Sequence, residues 1–356
     1  MAKRNIAKSL LIVFIILCLV FAISWVKFLY TPLIQDQEGY KYTVKPGDSL
    51  KLVMNELQAQ GVVRHPLYMQ LLIRYRGDTP KLKAGEYLFP KGTTPSSMLQ
   101  QMVTATGLVY HAFTIIPGWN FNDVRHALSE ESTLQHSLQQ MTDQEVMIQL
   151  GQPGVLPEGQ FFPDTYYFIR NDTDMSVLRR AYHSMQTHLM KAWNQRAADL
   201  PYKTAYEALI AASLIEKEAY LDAERPKIAS VLVNRLNKDM PLQFDPTIIF
   251  GLGDQYDGAI TKKDLVTDTP YNTYVHRGLP PTPIGIPSAA SINAALHPEV
   301  TDYYYFVAKG NGEHQFSKTL DEHEVAVEKA MTAQGGYFND ALIRLRLLTI
   351  LEKKNG

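Results

Sequence analysis

The first thirty residues constrain this chain more than any other segment, because they contain a long stretch without charge. Ser9–Val26 has no Asp, Glu, Lys or Arg, and as a helix it would be roughly 27 Å long, enough to cross a hydrocarbon core. Three basic residues precede it: Lys3, Arg4 and Lys8. The positive-inside rule therefore predicts a cytoplasmic tail at residues 1–8, a single transmembrane helix at residues 9–30, and the rest of the chain on the outer side.

A cleaved signal peptide is the alternative interpretation of the same segment. Ala22 and Ser24 form the small-x-small pattern that precedes a signal-peptide cleavage site. Phe21, Ile23 and Trp25 crowd this pattern with bulky side chains, which favours an uncleaved anchor. The prediction is therefore a single-pass protein with one large folded body.

The composition limits the class of protein. Apolar residues make up 46% and charged residues 20% of the 356 positions, which is the balance of a folded protein. The formal net charge is −1, and no long basic block offers nucleic acid an electrostatic footprint. The single cysteine, Cys18, excludes an intrachain disulfide framework and a four-cysteine zinc site.

A small α/β subdomain is predicted after the transmembrane helix and a short polar tether at residues 31–40. Within residues 41–106 the pattern indicates strand, helix, helix and strand, with Ser49 as a helix cap and Gly85–Phe89 as the second strand. The stretches YTVKPGDSL and KAGEYLFP resemble parts of a LysM module, a small unit that binds cell-wall glycans. A generic β-α-α-β spacer is the alternative that the sequence leaves open.

The larger part of the body, residues 107–350, is predicted to form a mixed α+β domain. Patterns within it indicate a strand at Val109–Ile116, a helix at Met175–Ala198, and a hairpin formed by residues 302–309 and His314–Ser317. The predicted fold class is therefore α+β, with one transmembrane helix, a LysM-like α/β subdomain and a larger mixed domain.

Two carboxyl groups near the end of another predicted helix are candidates for chemistry. The segment YEALIAASLIEKEAY (Tyr206–Tyr220) favours a helix that carries Glu216 and Glu218. Residues two apart on a helix differ by about 200°, so the two carboxyls cannot share a face. Glu216 lies on a mixed face, whereas Glu218 shares its side with Ala211, Leu214 and Ile215. Such neighbours raise the pKa of a carboxyl, which suits a general acid. The alternative interpretation is that Glu218 is an ordinary solvated glutamate at the surface.

Long loops rich in proline and in polar or aromatic residues follow this helix, between residues 240 and 287. Loops of this kind often line a cleft, where aromatic faces stack on sugar rings and amides bind hydroxyl groups. A structural connection stiffened by prolines is the alternative. Together with a turn-rich stretch near residue 160 and a histidine in the predicted hairpin, they supply the candidate binding residues Glu158, Asp164, Tyr166, Gln243, Asp245, Thr247, Tyr271, Asn272, Tyr274 and His314.

Familiar metal and cofactor motifs do not occur in the sequence. The segment HEVAV at His323–Val327 lacks the second histidine of the HExxH zinc motif. No G-x-S-x-G nucleophile elbow, phosphate-binding P-loop or dinucleotide fingerprint occurs either. We therefore expect no bound metal and no organic cofactor.

Five segments in this order resemble the motifs of the YceG-like family, and the resemblance covers nearly the whole chain. They are ASLIEKEA from Ala212, ERPKIASVLVNRL from Glu224, MPLQFDPTIIFGLG from Met240, YNTYVHRGLPPTPI from Tyr271 and YYFVAKGNGEHQFS from Tyr304. The resemblance implies that the second glutamate of the family's I-E-K-E motif, which falls on Glu218, is the catalytic acid. Phe244 and Thr282 stand where the family has a small polar residue and a glycine.

The resemblance also implies an activity and a location. The implied activity is non-hydrolytic cleavage of the β-1,4 bond between N-acetylmuramic acid and N-acetylglucosamine of peptidoglycan, which leaves 1,6-anhydro ends. The implied location is the bacterial inner membrane with the body in the periplasm, where the enzyme would terminate or trim new glycan strands beside penicillin-binding proteins. A muramidase that uses water and a wall-binding scaffold without activity remain as alternatives.

Overall fold

The computed structural model describes residues 2–77 and 82–333, and these form a mixed α+β protein with one long N-terminal helix. This helix, α1, spans Ala2–Tyr30 and is long and apolar enough to cross a membrane over Ile6–Tyr30. It begins inside the predicted cytoplasmic tail, so residues 2–8 continue the same helix. The last part of the predicted domain 107–350 lies outside the described residues.

The chain is divided into two units. The first consists of Met1–Ala112 with Tyr167–Asp172, and the second of Phe113–Tyr166 with Thr173–Gly356, each in its described part. The first unit therefore runs beyond the predicted boundary at residue 106 and includes a second, short segment of chain. The boundaries between the two units lie inside two strands that pair with each other. These strands are β3 at Tyr110–Thr114 and β4 at Thr165–Ile169.

The first unit has the predicted order of strand, helix, helix and strand, followed by one more helix. Its elements are β1 at Tyr40–Val44, α2 at Leu50–Ala59, α3 at Pro66–Arg76, β2 at Gly85–Phe89 and α4 at Pro95–Thr104. The two strands are antiparallel, with Tyr40 opposite Phe89 and Val44 opposite Gly85. Ser49 caps α2 as predicted, because its hydroxyl accepts a hydrogen bond from the backbone N–H of Leu52.

The segment predicted as a tether, residues 31–40, packs onto the first unit. Ile34 is buried in the hydrophobic core of this unit, as is Phe28 from the end of α1. Two backbone hydrogen bonds hold the segment to the turn before α4: the N–H of Leu33 donates to the carbonyl of Thr93, and that of Gly92 donates to the carbonyl of Ile34. The chain between α1 and β1 is therefore packed against the rest of the first unit.

The second unit is built mainly from helices. Its remaining elements are α5 at Phe121–Glu130, α6 at Asp143–Gln149, α7 at Asp174–Asn194, α8 at Ala205–Glu218, α9 at Arg225–Asn237, α10 at Asp245–Leu252, α11 at Lys262–Leu265, α12 at Ala289–Leu296, β5 at Tyr305–Ala308, β6 at His314–Ser317 and α13 at Leu320–Ala333. The predicted hairpin is confirmed, since β5 and β6 pair antiparallel with Tyr305 opposite Ser317. The loop-rich prediction for residues 240–287 was incomplete, because α10 and α11 form within it.

The helix α8 is the centre of the second unit. Its residues from Ala208 to Ile215 are all buried, so this helix is enclosed on every side rather than on a single face. It packs against α7, α9, α10 and α12. The one polar residue of this stretch, Ser213, donates to the carbonyl of Ile210 and accepts from the N–H of Ile284, which attaches the loop before α12 to the core.

Candidate active site

Glu218 is the last residue of α8, where the buried helix reaches the edge of the core. Its side chain keeps part of its surface accessible, yet the surrounding protein is dense enough to disfavour a charge. Burial, and to a smaller extent the nearby negative charge of Asp245, raise the pKa of Glu218 from an ordinary value of 4.5 to about 8. A carboxyl with this pKa holds its proton at neutral pH and can donate it.

Asp245 is the first residue of α10, and a neighbouring tyrosine fixes its carboxylate. The hydroxyl of Tyr274 donates a 2.6 Å hydrogen bond to Oδ1 of Asp245. The segment that leads into α10 is held by Thr273, whose hydroxyl accepts from the N–H of Phe244 and whose carbonyl accepts from the N–H of Gln243. Two predicted binding residues, Asp245 and Tyr274, are thus brought together beside Glu218.

The side chain of Gln243 is held inside the protein by a buried arginine. Arg235, on α9, donates from Nη1 to Oε1 of Gln243 at 2.8 Å and to the carbonyls of Pro241 and Leu242. Its Nε donates to the carbonyl of Tyr304. Gln243 also has a positive φ of 56°, an uncommon backbone conformation for this residue type. Its amide oxygen therefore shapes the loop before α10.

Three of the predicted binding residues donate hydrogen bonds to backbone carbonyls within the protein. Thr247 is fully buried, and its hydroxyl donates to the carbonyl of Phe244. Asn272 is buried too, and its amide donates to the carbonyls of Asp264, Leu265 and Thr267. The buried hydroxyl of Tyr166 donates to the carbonyl of Phe162. Their polar groups are used within the protein, because long loops need internal hydrogen bonds to hold their shape.

Two other predicted binding residues are at least partly exposed at the protein surface. Asp164 is exposed, and its carboxylate accepts from the N–H of the next residue, Thr165. Tyr271 is half-buried, with its ring against Phe250 and its hydroxyl 3.1 Å from that of Thr282. Thr282 is one of the two positions at which the sequence departs from the family motif. Neither residue has a contact with Glu218 in the described structure.

The first glutamate of the I-E-K-E segment, Glu216, is a structural residue that the sequence analysis did not identify. Its buried carboxylate accepts hydrogen bonds from the N–H and the hydroxyl of Ser288, at 2.8 and 2.5 Å. It also forms a 3.3 Å ion pair with the buried guanidinium of Arg225. Ser288 caps α12 and Arg225 begins α9, so Glu216 joins three helices. The one sequence signal for this role was the quoted ERPK segment, in which Arg225 directly precedes Pro226 at the start of α9.

His314 and Tyr220 lie close to the chain that follows Glu218. The carboxylate of Glu224 accepts from the backbone N–H and from Nδ1 of His314, at 2.9 and 2.7 Å, which ties the start of β6 to this region. The ring of Tyr220 faces Gly312, where a Cβ would approach it to 2.9 Å. Tyr220 is 81% exposed. An exposed aromatic ring two residues after Glu218 is a surface on which a sugar can stack.

Glu158 is a second carboxyl whose pKa the fold raises. Burial raises its pKa to about 7, although a hydrogen bond from the N–H of Phe121 opposes this rise. Its other oxygen, Oε1, is buried and has no hydrogen-bond partner in the described part of the chain. The adjacent Gly159 has a φ of 74° and lies so close to Pro283 that a Cβ would be 2.5 Å from that ring.

A protonated carboxyl beside a second, negatively charged one defines a site for general-acid chemistry. The described residues contain no group of three or more His, Cys, Asp or Glu that could hold a metal ion.

The comparisons with known proteins agree on one family. Residues 42–329 match the sequence profile of the YceG-like family. The chain belongs to the YceG-like family, which confirms the resemblance found in its motifs.

Two relatives and one solved structure extend this comparison. The chain is 33% identical over 308 residues to the endolytic murein transglycosylase of Bacillus subtilis (strain 168), covering 82% of this chain and 84% of that protein. It is 26% identical over 325 residues to the endolytic murein transglycosylase of Streptococcus pneumoniae serotype 2 (strain D39 / NCTC 7466), covering 81% of this chain and 58% of that protein. A crystal structure of a YceG-like protein from Listeria monocytogenes is 29% identical, with a TM-score of 0.52 over 82% of this chain and 99% of that one.

The raised pKa of Glu218 predicts that Glu218→Gln stabilises the fold at alkaline pH. Between pH 4.5 and 8 the unfolded glutamate releases its proton while the folded one retains it, so the wild type loses stability as the pH rises. We expect similar thermal midpoints for wild type and variant at pH 4 and an advantage of about 1–3 kcal/mol for the variant at pH 8.5. Thermal unfolding of both full-length chains in the same detergent measures this difference. A constant difference across the pH range would contradict the burial of this carboxyl.

Proposed function

We propose that this chain is a peptidoglycan lytic transglycosylase in which Glu218 acts first as the acid and then as the base. The observation that carries the proposal is the raised pKa of Glu218 next to the charge of Asp245. Membership of the YceG-like family and the names of the relatives support the substrate and the reaction.

The first step is cleavage of the glycosidic bond. Glu218 donates its proton to the oxygen that links N-acetylmuramic acid to N-acetylglucosamine, and the bond from C1 to that oxygen breaks. Positive charge then develops at C1 of the muramic acid. The negative charge of Asp245, held by Tyr274, stabilises this cation. The N-acetyl group of the substrate contributes to the same stabilisation, so a covalent bond to the protein is not required.

The second step closes a ring and restores the enzyme. Glu218, now an anion, removes the proton from the C6 hydroxyl of the muramic acid, and that oxygen bonds to C1. The products are a 1,6-anhydro end and a shortened glycan strand, and no water is consumed. Because desolvation disfavours the anion of Glu218, the site favours recovery of the proton at the end of the cycle.

Replacing Glu218 tests the assignment most directly. Glu218→Gln keeps the size of the side chain but cannot donate the proton, so we expect about a 10²- to 10⁴-fold loss in the release of anhydro-muropeptides. Mass spectrometry of digested peptidoglycan measures the products. The matched comparison is Glu158→Gln, which neutralises the other carboxyl with a raised pKa in the same unit.

Each outcome of this comparison is informative. Loss of activity in Glu218→Gln with larger residual activity in Glu158→Gln supports the assignment, whereas the opposite order makes Glu158 the acid. Reducing muramyl ends without anhydro products from the wild type would identify a muramidase. A wild type that is inactive on glycan strands would support the scaffold alternative.

The charge of Asp245 predicts a specific change in the pH profile. Asp245→Asn removes a negative charge that raises the pKa of Glu218, so the alkaline limb of kcat/KM should move to lower pH. The maximum rate should fall by about 10- to 100-fold, because the cation at C1 loses its counter-charge. Tyr274→Phe is the control, since it removes the hydrogen bond but keeps the carboxylate. If the alkaline limb of Asp245→Asn stays at the wild-type pH, the charge of Asp245 does not raise the pKa of Glu218.

The exposed ring of Tyr220 is proposed as a stacking surface for one sugar of the strand. Tyr220→Ala should raise KM while leaving the pH profile unchanged, because the residue binds substrate without transferring a proton. Tyr220→Phe keeps the ring and should retain the wild-type KM. Steady-state kinetics on isolated glycan strands distinguish the two variants, and an equal rise of KM in both would argue against stacking.

Location and partners complete the proposal. The anchor helix α1, the basic residues that precede it and the family of the chain support a single-pass protein of the bacterial inner membrane with its body in the periplasm. The β-α-α-β order of the first unit is common to a LysM-like unit and to a generic spacer, so the LysM-like assignment and its glycan binding stay predictions. Association with penicillin-binding proteins stays a prediction, which a pull-down from solubilised membranes tests.

A further inference from the structure

The helix α3 of the first unit exposes a stripe of large apolar side chains. Leu67, Leu71 and Tyr75 are 73%, 44% and 87% exposed. They are spaced four residues apart, so they lie along one face of the helix. The opposite face is buried, because Met69 and Leu72 belong to the core of the unit. A continuous apolar stripe on a helix that is already packed marks a surface for another contact.

The position of this helix beside the anchor indicates what that contact is. The hydroxyl of Tyr68 lies 3.0 Å from that of Ser24, to which it donates a hydrogen bond. The ring of Tyr68 also packs on the rings of Phe21, Trp25 and Phe28, with centroids 5.4–5.8 Å apart. These residues belong to the apolar span Ile6–Tyr30 of α1. From Phe21 to Tyr30 the helix rises about 14 Å, so α3 lies alongside the end of the span.

The charges around α3 fit the polar region of a bilayer. Arg64 and Arg74 are exposed near its two ends, and Lys27 is exposed on the last turns of α1. The sequence has no acidic residue between Glu56 and Asp78. Arginine and lysine in this position can bind lipid phosphates while their stems cover apolar surface.

We propose that α3 is an interfacial helix that lies on the outer surface of the membrane, with Leu67, Leu71 and Tyr75 at the boundary between headgroups and acyl chains. This inference rests on the proposed membrane anchor, because the anchor sets the depth of Tyr68. The occupant of the stripe is lipid, since Tyr68 of the same helix packs on the apolar span of α1 and places α3 at the level of the bilayer surface. Such helices bury their apolar face about 5–10 Å below the headgroups.

A depth measurement on the full-length chain in phospholipid vesicles tests the proposal. Cys18, the single cysteine, is replaced by alanine, and one new cysteine carries an environment-sensitive fluorophore. The three probe positions are Leu71, Leu52 and Val13. Leu52, on α2 of the same unit, is the matched control because it is 44% exposed, like Leu71. Val13 lies inside the apolar span and reports on the anchor itself.

Quenching by lipids that carry a spin label near the headgroup or deep in the acyl chain gives the outcomes. We expect the probe at Leu71 to lose fluorescence with the shallow label, the probe at Val13 to lose it mainly with the deep label, and the probe at Leu52 to keep it. If Leu71 behaves like Leu52 while Val13 is quenched, the anchor stands and the interfacial helix is refuted. If Val13 is not quenched, the membrane anchor fails and this inference fails with it.

The fold of each labelled variant is checked by its thermal midpoint, which these exposed positions should leave near that of the cysteine-free chain. A second set of variants replaces Leu67, Leu71 and Tyr75 together by glutamine, with the fluorophore at Gln70 on the same helix. We expect a red-shifted emission from this probe relative to the chain with the intact stripe. An unchanged emission spectrum would show that the stripe does not hold the helix against lipid.

Discussion

The cost of a negative charge on Glu218 is the constraint on which the proposed active site depends. The side chain leaves the end of a helix whose residues from Ala208 to Ile215 are all buried, and it meets a second carboxylate instead of a cation. Both features oppose ionisation, so the proton remains bound at neutral pH. Glu216, two residues earlier on the same helix, has the opposite environment, because Arg225 and Ser288 surround its carboxylate with donors. One glutamate therefore supports the structure, while the other is available for chemistry.

The sequence predicted α8 because its signals are local, whereas it missed α10, which begins at Asp245. The helical pattern predicted α8 with Glu218 near its end, and the cap at Ser49 and the hairpin ending at Ser317 follow from short patterns. The partners of Glu216 were beyond such reasoning, because Ser288 lies 72 residues away in the chain. Periodicity identifies the face of a helix, but it does not identify which distant residue covers that face.

The loops were the least predictable part of the site for a related reason. Polar residues such as Asn272 and Thr247 suggested sugar contacts, yet their groups satisfy the backbone of the loops that contain them. A polar residue in a long loop can bind a ligand or hold the loop in shape. The amino-acid composition of the loop does not distinguish these two roles. The hydrogen bonds of Thr273 to Gln243 and Phe244 connect two loop motifs that are thirty residues apart, which fixes the position of Asp245.

The packing of the anchor places a further limit on the protein. Phe28 at the end of α1 and Ile34 just after it are both buried in the core of the first unit, and backbone hydrogen bonds hold the chain between them and β1. A flexible linker would let a folded unit move freely, whereas this connection is held by packing and by backbone hydrogen bonds. In the proposed membrane location, the length and tilt of α1 would therefore set the height of the first unit above the bilayer.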